Sequence, residues 1–252
     1  MELLPYDRSG TLRRDGASIF WAQWGEPEGG RLPVMLFHGN GEDHSYFSHQ
    51  IEALVYCGYQ VIAMDSRGQG RSTAGSLPWD FWLFAQDALA VLDHLDIPQA
   101  HLLGFSDGGN LALHLALTDP SRVRSLVLNG ANLNPSGMET SVWAAILAQR
   151  AAAGAARLLR PEAKLQCRLL DLMLQHPHLL PQQLSALPMP SLVIVGENDM
   201  IREKHSRLIA HSLPCSQLCI LSGADHFCAA KAPAAFNACL LDFLQAVETG
   251  TF

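Results

Sequence analysis

The stretch Gly104-Phe105-Ser106-Asp107-Gly108-Gly109 decides how the rest of the chain is read. It follows His101 to Phe105, an apolar run with the length of a buried strand, and it opens the helix-period run Gly108 to Leu117. Gly-x-Ser-x-Gly between a strand and a helix presents the serine on a turn so sharp that its apex residue is strained. Side chains two before and two after that apex would strike neighbouring backbone, so glycine at 104 and 108 is a steric requirement. Ser106 then stands at the carboxyl end of its strand, above the unpaired N–H groups of a helix N-terminus, where developing negative charge is favoured. A Gly-rich turn with a capping serine would read the same from these six residues alone.

Three further stretches separate the two readings. Phe37-His38-Gly39-Asn40-Gly41 ends an early strand, and the backbone N–H of Asn40 beside that of Asp107 would complete an oxyanion hole, with His38 structural. Val195-Gly196-Glu197-Asn198-Asp199 ends a late strand, and Gly223-Ala224-Asp225-His226-Phe227 follows the last one. A serine, an acid and a histidine therefore occur in that order, each just past a strand. A serine hydroxyl is a poor nucleophile at its own pKa and must pass its proton to a base within hydrogen-bond reach. His226 is the candidate base. Asp199 is the candidate carboxylate that holds its tautomer and balances its charge, ahead of Glu197 and Asp225.

Around these stretches, apolar runs alternate with helix-period segments, the pattern of a mostly parallel sheet flanked by helices. The strand candidates are Ser18 to Trp24, Val34 to Phe37, Gln60 to Met64, His101 to Phe105, Ser125 to Leu128, Ser191 to Val195 and Gln217 to Leu221. Most are apolar throughout, as strands covered on both faces must be. From Asn132 to Leu187 no strand pattern occurs, and the Ala/Leu/Gln/Arg-rich sequence reads as a helical insertion. The expected organisation is a core of residues 1–131 and 188–252 with the insertion at 132–187. The insertion carries a mild positive excess (Arg150, Arg157, Arg160, Lys164 and Arg168 against Glu139, Glu162 and Asp171) that reads first as solvated helix faces.

Composition limits what such a chain does. It has 252 residues, 48% of them apolar and 16% charged, with 17 Lys plus Arg against 24 Asp plus Glu and a net charge of -7. No block of like charge exists to track a polyanion, so no nucleic-acid partner is expected. No run approaches the ~20 apolar residues of a membrane span, and Met1 to Gly16 lacks the apolar stretch of a secretion signal, so a soluble cytoplasmic protein is expected. The six cysteines, Cys57, Cys167, Cys215, Cys219, Cys228 and Cys239, form no Cys-x-x-Cys pair and read as reduced packing residues. His176-Pro177-His178 has no third ligand at a recognisable spacing, so no metal site is expected.

With these residues in view the chain resembles the α/β hydrolase fold family over nearly its whole length. The resemblance implies an α/β architecture: an eight-stranded, mostly parallel sheet with flanking helices, a nucleophile elbow at Ser106 and a helical cap formed by the insertion. It implies catalysis by Ser106, Asp199 and His226, an oxyanion hole from the N–H groups of Asn40 and Asp107, and no cofactor. Asp65-Ser66-Arg67-Gly68-Gln69-Gly70-Arg71-Ser72 resembles a structural loop of the family and lacks the Gly-Lys-Ser/Thr ending of a phosphate loop. Family members that cleave alkyl halides or epoxides use aspartate at the elbow, and serine stands here. The expected reaction is hydrolysis of a carboxylic ester of a small, fairly apolar substrate through an acyl-enzyme. The alternatives are a carbon–carbon bond hydrolase or a perhydrolase with the same triad, and a ligand sensor with little turnover. Trp143, Ile146 and Leu147, with Leu158, Leu159, Leu169, Leu172 and Met173, are candidates for an apolar roof over a small-molecule pocket, although the same residues would serve to seat the insertion on the sheet. Oligomeric state is not legible.

Overall fold

A computed structural model describes residues 3–157, 160 and 162–252; Leu158 and Leu159 of the expected roof lie outside the described residues. Eight strands, β1 (Arg8–Arg14), β2 (Ala17–Trp24), β3 (Val34–Phe37), β4 (Val61–Met64), β5 (Ala100–Phe105), β6 (Val123–Asn129), β7 (Ser191–Asn198) and β8 (Ser216–Asp225), form one sheet in the order β1-β2-β4-β3-β5-β6-β7-β8. From β4 to β8 every neighbouring pair is parallel, while β2 pairs antiparallel with both β1 and β4. This is the eight-stranded, mostly parallel sheet that the resemblance implied.

The seven apolar runs all became strands, and the eighth, β1, carries none of their signal. Its residues Arg-Ser-Gly-Thr-Leu-Arg-Arg alternate between exposed and half-buried positions along the sheet edge, where backbone pairing with β2 from Arg8–Gln23 to Arg14–Ala17 holds it. A charged edge strand needs no apolar run, because only one of its sides is paired and its faces are largely wet.

Alternate residues of the inner strands feed two separate cores. On one face Ile19, Met35, Phe37, Ile62, Met64, Leu102, Leu126 and Val193 pack under α2 (Phe81–His94), α3 (Asp107–Thr118) and α7 (Glu203–Ser212). Phe20, Trp24, Leu36, Val61, Ala63, Leu103, Phe105 and Ile194 pack on the other face, against α1 (Ser48–Tyr56) and α9 (Pro233–Thr249). The period-2 alternation of Cβ directions makes this division, and burial of both faces explains the unbroken apolar runs.

Between β6 and β7 lie α4 (Thr140–Ala156), α5 (Glu162–Gln175) and the short α6 (Pro181–Leu184). Leu165, Leu169 and Leu172 of α5 pack on the α2/α3 core, whereas Ile146 and Ala153 of α4 join Met138, Cys167, Leu170 and Ile201 in a small cluster of their own. Two of the basic residues here serve the fold. Arg150 makes a two-bond pair with Asp171, and Arg168 donates to the carbonyls of Gly75 (3.0 Å) and Leu77 (2.6 Å) while lying 3.9 Å above the Trp79 ring. Among the described residues no helix is long and apolar enough to cross a membrane.

Candidate active site

The strand order reverses between β3 and β5: the chain runs from β3 outward to β4 on one side, then from β5 to β8 on the other. Loops leaving the carboxyl ends of those two strands diverge and open a crevice, the usual ligand position in open α/β sheets. Asn40 sits on the first loop and Ser106 on the second.

Ser106 adopts φ 53° and ψ -118°, a conformation that L side chains rarely occupy. Its surroundings over-determine it. The Ser106 N–H donates to the Asn129 carbonyl at the end of β6 (2.7 Å), and its own carbonyl accepts from Gly109 (2.9 Å) and Asn110 (3.1 Å) in the first turn of α3. A Cβ at Gly104 would run into the Gly108 carbonyl, and one at Gly108 would run into the carbonyl of Phe37. Both glycines are required for the reason read from the sequence.

Ser106, His226 and Asp199 are joined in one chain of hydrogen bonds. His226 Nε2 lies 3.1 Å from Ser106 Oγ, and His226 Nδ1 lies 2.7 Å from Asp199 Oδ1. The side chains of His226 and Asp199 are 7% and 3% exposed, so little water competes for these bonds. The same Asp199 oxygen accepts the Ile201 N–H (2.8 Å), which fixes the carboxylate on its own loop. Phe105 backs the imidazole at a ring separation of 4.8 Å and stacks on Tyr46 at 4.3 Å. The rival acids are engaged elsewhere: Glu197 accepts from Ser222 Oγ and Gly223 N–H, and Asp225 accepts from Lys231 and Phe227 N–H.

Two contributors were not singled out in the sequence. Gly130, at φ 60°, follows β6, and a Cβ there would lie 2.7 Å from His226 Cε1 and 2.9 Å from Nδ1. Its absent side chain is the space that the imidazole fills. The only sequence signal is Asn129-Gly130 at a strand end, which reads as any turn. The second contributor is the side chain of Asn40, which reaches Asp107 Oδ2 (2.8 Å) and the Leu169 carbonyl of α5 (3.0 Å). Burial pushes the Asp107 carboxyl up to about 6, against the opposing pull of the Asn40 amide and the charge of His226.

The loop from Asp65 to Ser72 supports the Asn40 loop. Ser66 N–H donates to His38 Nε2, Asp65 accepts from the His44 backbone and ring, and Gln69 accepts from Gly41 N–H (2.6 Å). His38 is buried, and its second ring nitrogen lies 2.7 Å from the Gly39 carbonyl. Trp143, Ile146 and Leu147 lie on α4. Ile146 is buried in the small α4/α5 cluster, Leu147 is 45% exposed, and Trp143, 39% exposed, borders a cavity of about 350 Å³ with Pro135, Met138 and Arg202. The helix of this segment that reaches the crevice is α5, through Leu169. Among the described residues no group of three or more His, Cys, Asp or Glu side chains is placed to hold a metal ion.

A model of the alpha/beta hydrolase fold family matches residues 33–187, and the chain belongs to that family. It is 31% identical over 243 residues to a putative carbamate hydrolase RutD of Pseudomonas syringae pv. syringae (strain B728a), covering 84% of this chain and 93% of that protein. It is 35% identical over 150 residues to a non-heme chloroperoxidase of Streptomyces lividans, a match that covers 54% of each chain, so that only about half the length of that relative is spanned. Among solved structures, a hydrolase from Pseudomonas aeruginosa PA01 superposes with a TM-score of 0.76 at 26% identity, covering 94% of this chain and 98% of that one.

Proposed function

We propose that this family member is a serine hydrolase that cleaves a carboxylic ester of a small, fairly apolar substrate through an acyl-enzyme. The observation that carries the reading is the unbroken relay from Ser106 Oγ through His226 to Asp199, at 3.1 and 2.7 Å, in the crevice where the strand order reverses. In this reading His226 Nε2 takes the Ser106 proton as Oγ attacks the carbonyl carbon, and Asp199 holds Nδ1–H and balances the imidazolium. The oxyanion is received by the N–H groups of Asn40 and Asp107. His226 then gives its proton to the leaving alcohol, draws one from the water that attacks the acyl-enzyme, and returns it to Ser106 Oγ as the carboxylic acid leaves. Residues 132–187 act as a cap, with α5 as its inner helix. The relatives' names extend to carbamates and to chloroperoxidase activity, and both fit an acyl-enzyme whose second acceptor or leaving group differs.

The chemistry is tested with p-nitrophenyl esters of increasing acyl length, run beside a dicarbonyl ring-cleavage substrate and a peroxide-dependent halogenation assay. Ester turnover that peaks at one chain length and exceeds the other two activities is the expected result. Dominant cleavage of the dicarbonyl compound, or halogenation that outruns ester hydrolysis, overturns the ester assignment in favour of that chemistry.

The space at Gly130 makes a second prediction. Gly130→Ala drives a methyl group into the imidazole, and a displacement on the order of 1 Å costs about 100-fold in rate. Ester kcat is expected to fall by that factor. Thermal stability should fall by about 1 to 3 kcal/mol, from alanine held at a positive φ and the crowding of its methyl group. Undiminished kcat would show that His226 does not need this position.

A further inference from the structure

We propose that the side-chain amide of Asn40 is a positioning residue that sets the separation of the two oxyanion donors and makes it depend on the seat of α5. The inference rests on the hydrolase reading above and adds to it a task for a group that bears no reacting atom. Asn40 and Asp107 lie on different loops, and the backbone ladder between their parent strands ends at Phe37–Gly104. Beyond that pair, Asn40 Nδ2 to Asp107 Oδ2, at 2.8 Å, ties together the two residues whose N–H groups face the proposed oxyanion. The second bond from the same nitrogen, 3.0 Å to the Leu169 carbonyl, ends on α5. One planar amide thus fixes three segments at once: the β3 loop, the nucleophile turn and the inner helix of the insertion.

The residue types suit this task. An amide nitrogen offers two donors in a fixed plane, whereas aspartate offers none and serine one, and glutamine would place them a methylene further out. An ionised Asp107 makes its bond charge-assisted, so the tie is stronger than one between neutral groups. The flanking N–H groups are engaged on both sides of Asn40, Gly39 on Glu42 Oε2 (3.2 Å) within the loop and Gly41 on Gln69 Oε1 (2.6 Å) of the Asp65–Ser72 loop. The same helix is also anchored by Arg168 on Gly75, Leu77 and Trp79 and by Leu165 near Gly68. A shift of α5 at the Leu169 carbonyl is therefore passed to the donors by the Asn40 amide.

The test compares Asn40→Ala, Asn40→Ser, Asp107→Ala, Asp107→Asn and the double alanine variant with the parent. The readouts are kcat and KM on a short p-nitrophenyl ester, the rate of fluorophosphonate labelling of Ser106, melting temperature, and amide hydrogen exchange in residues 165–175. Asn40→Ala is expected to lower kcat by 10- to 100-fold with KM within twofold, to slow labelling by a similar factor because the phosphonyl oxygen uses the same donors, and to speed exchange in α5. Asn40→Ser, which keeps one donor and is the milder change to the loop, should fall between. Asp107→Ala should match Asn40→Ala, Asp107→Asn should recover part of the loss, and the double variant should be no slower than either single one. A lower melting temperature with kcat and labelling unchanged, or a rise in KM alone, overturns the proposal while leaving the hydrolase reading intact. A parent that neither labels at Ser106 nor turns over any ester overturns that reading, and this proposal falls with it.

Discussion

Ser106→Ala is expected to lower ester turnover about 10⁵- to 10⁶-fold while leaving the melting temperature within a few degrees of the parent. The size follows from what the hydroxyl does in the proposed reaction. Without Oγ no acyl-enzyme forms, and His226 has no proton to take, so the relay fails as a unit; removal of a triad nucleophile from other serine hydrolases costs this much. What survives is the contribution of the oxyanion donors and of substrate binding, which alone give about 10³- to 10⁴-fold over water. The stability effect is small because the serine contributes one 3.1 Å hydrogen bond and little buried apolar area. The strain at φ 53° is common to both residues, since alanine also disfavours that region. Loss of fluorophosphonate labelling must accompany loss of turnover. A variant that still hydrolyses esters at a hundredth of the parent rate or better would show that another group is the nucleophile.

The residues of the proposed triad could be picked out because each follows a strand end, and strand ends are among the plainest features of a parallel-sheet sequence. The glycines of the turn at Ser106 were legible because both belong to the recognisable Gly-x-Ser-x-Gly pattern, although only the Gly104 clash is local and that of Gly108 is with Phe37. Gly130 relieves a clash with His226, far along the chain, and nothing at position 130 records that distance. The Asn40 amide was hidden in the same way: its backbone position was read from the His-Gly-Asn stretch, but its partners Asp107 and Leu169 belong to other elements. At α4 the pattern misled in another direction. An Ala- and Leu-rich helix reads as a face seeking cover, yet Trp143 and Leu147 remain substantially exposed, while the leucines of α5 pack on the core. β1 was missed because its pairing is entirely backbone.

Asp87→Ala is the substitution expected to cost most in stability, about 3 to 5 kcal/mol, or on the order of 10 °C in melting temperature for a chain of this size. Arg67, in the loop after β4, is fully buried and donates from Nε to Asp87 Oδ2 (2.5 Å) and from Nη2 to Asp87 Oδ1 (2.8 Å). Asp87 in turn lies on the apolar face of α2, between Phe84 and Val91, where a lone acid among buried i, i+3 and i+4 positions is the sequence signal of an inward charge. Burial raises the pKa of Asp87 in spite of the opposing guanidinium, so desolvation outweighs the pairing in setting its titration. The pair is therefore poor evidence of net stabilisation. Breaking it is another matter, because it leaves a guanidinium uncompensated at 0% exposure. The long bonds from Arg67 Nη2 to the Arg14 carbonyl (3.3 Å) and Nη1 to the Asp15 carbonyl (3.5 Å) are too weak to replace the carboxylate. Arg67→Met combined with Asp87→Leu should then recover most of the loss, since apolar groups of similar volume carry no desolvation cost. Chemical denaturation of Arg67→Met, Asp87→Leu and the double variant gives the coupling directly. An Asp87→Ala loss below 1 kcal/mol would mean that water or Asp15, whose carboxylate lies 3.9 Å from Arg67, takes over the charge.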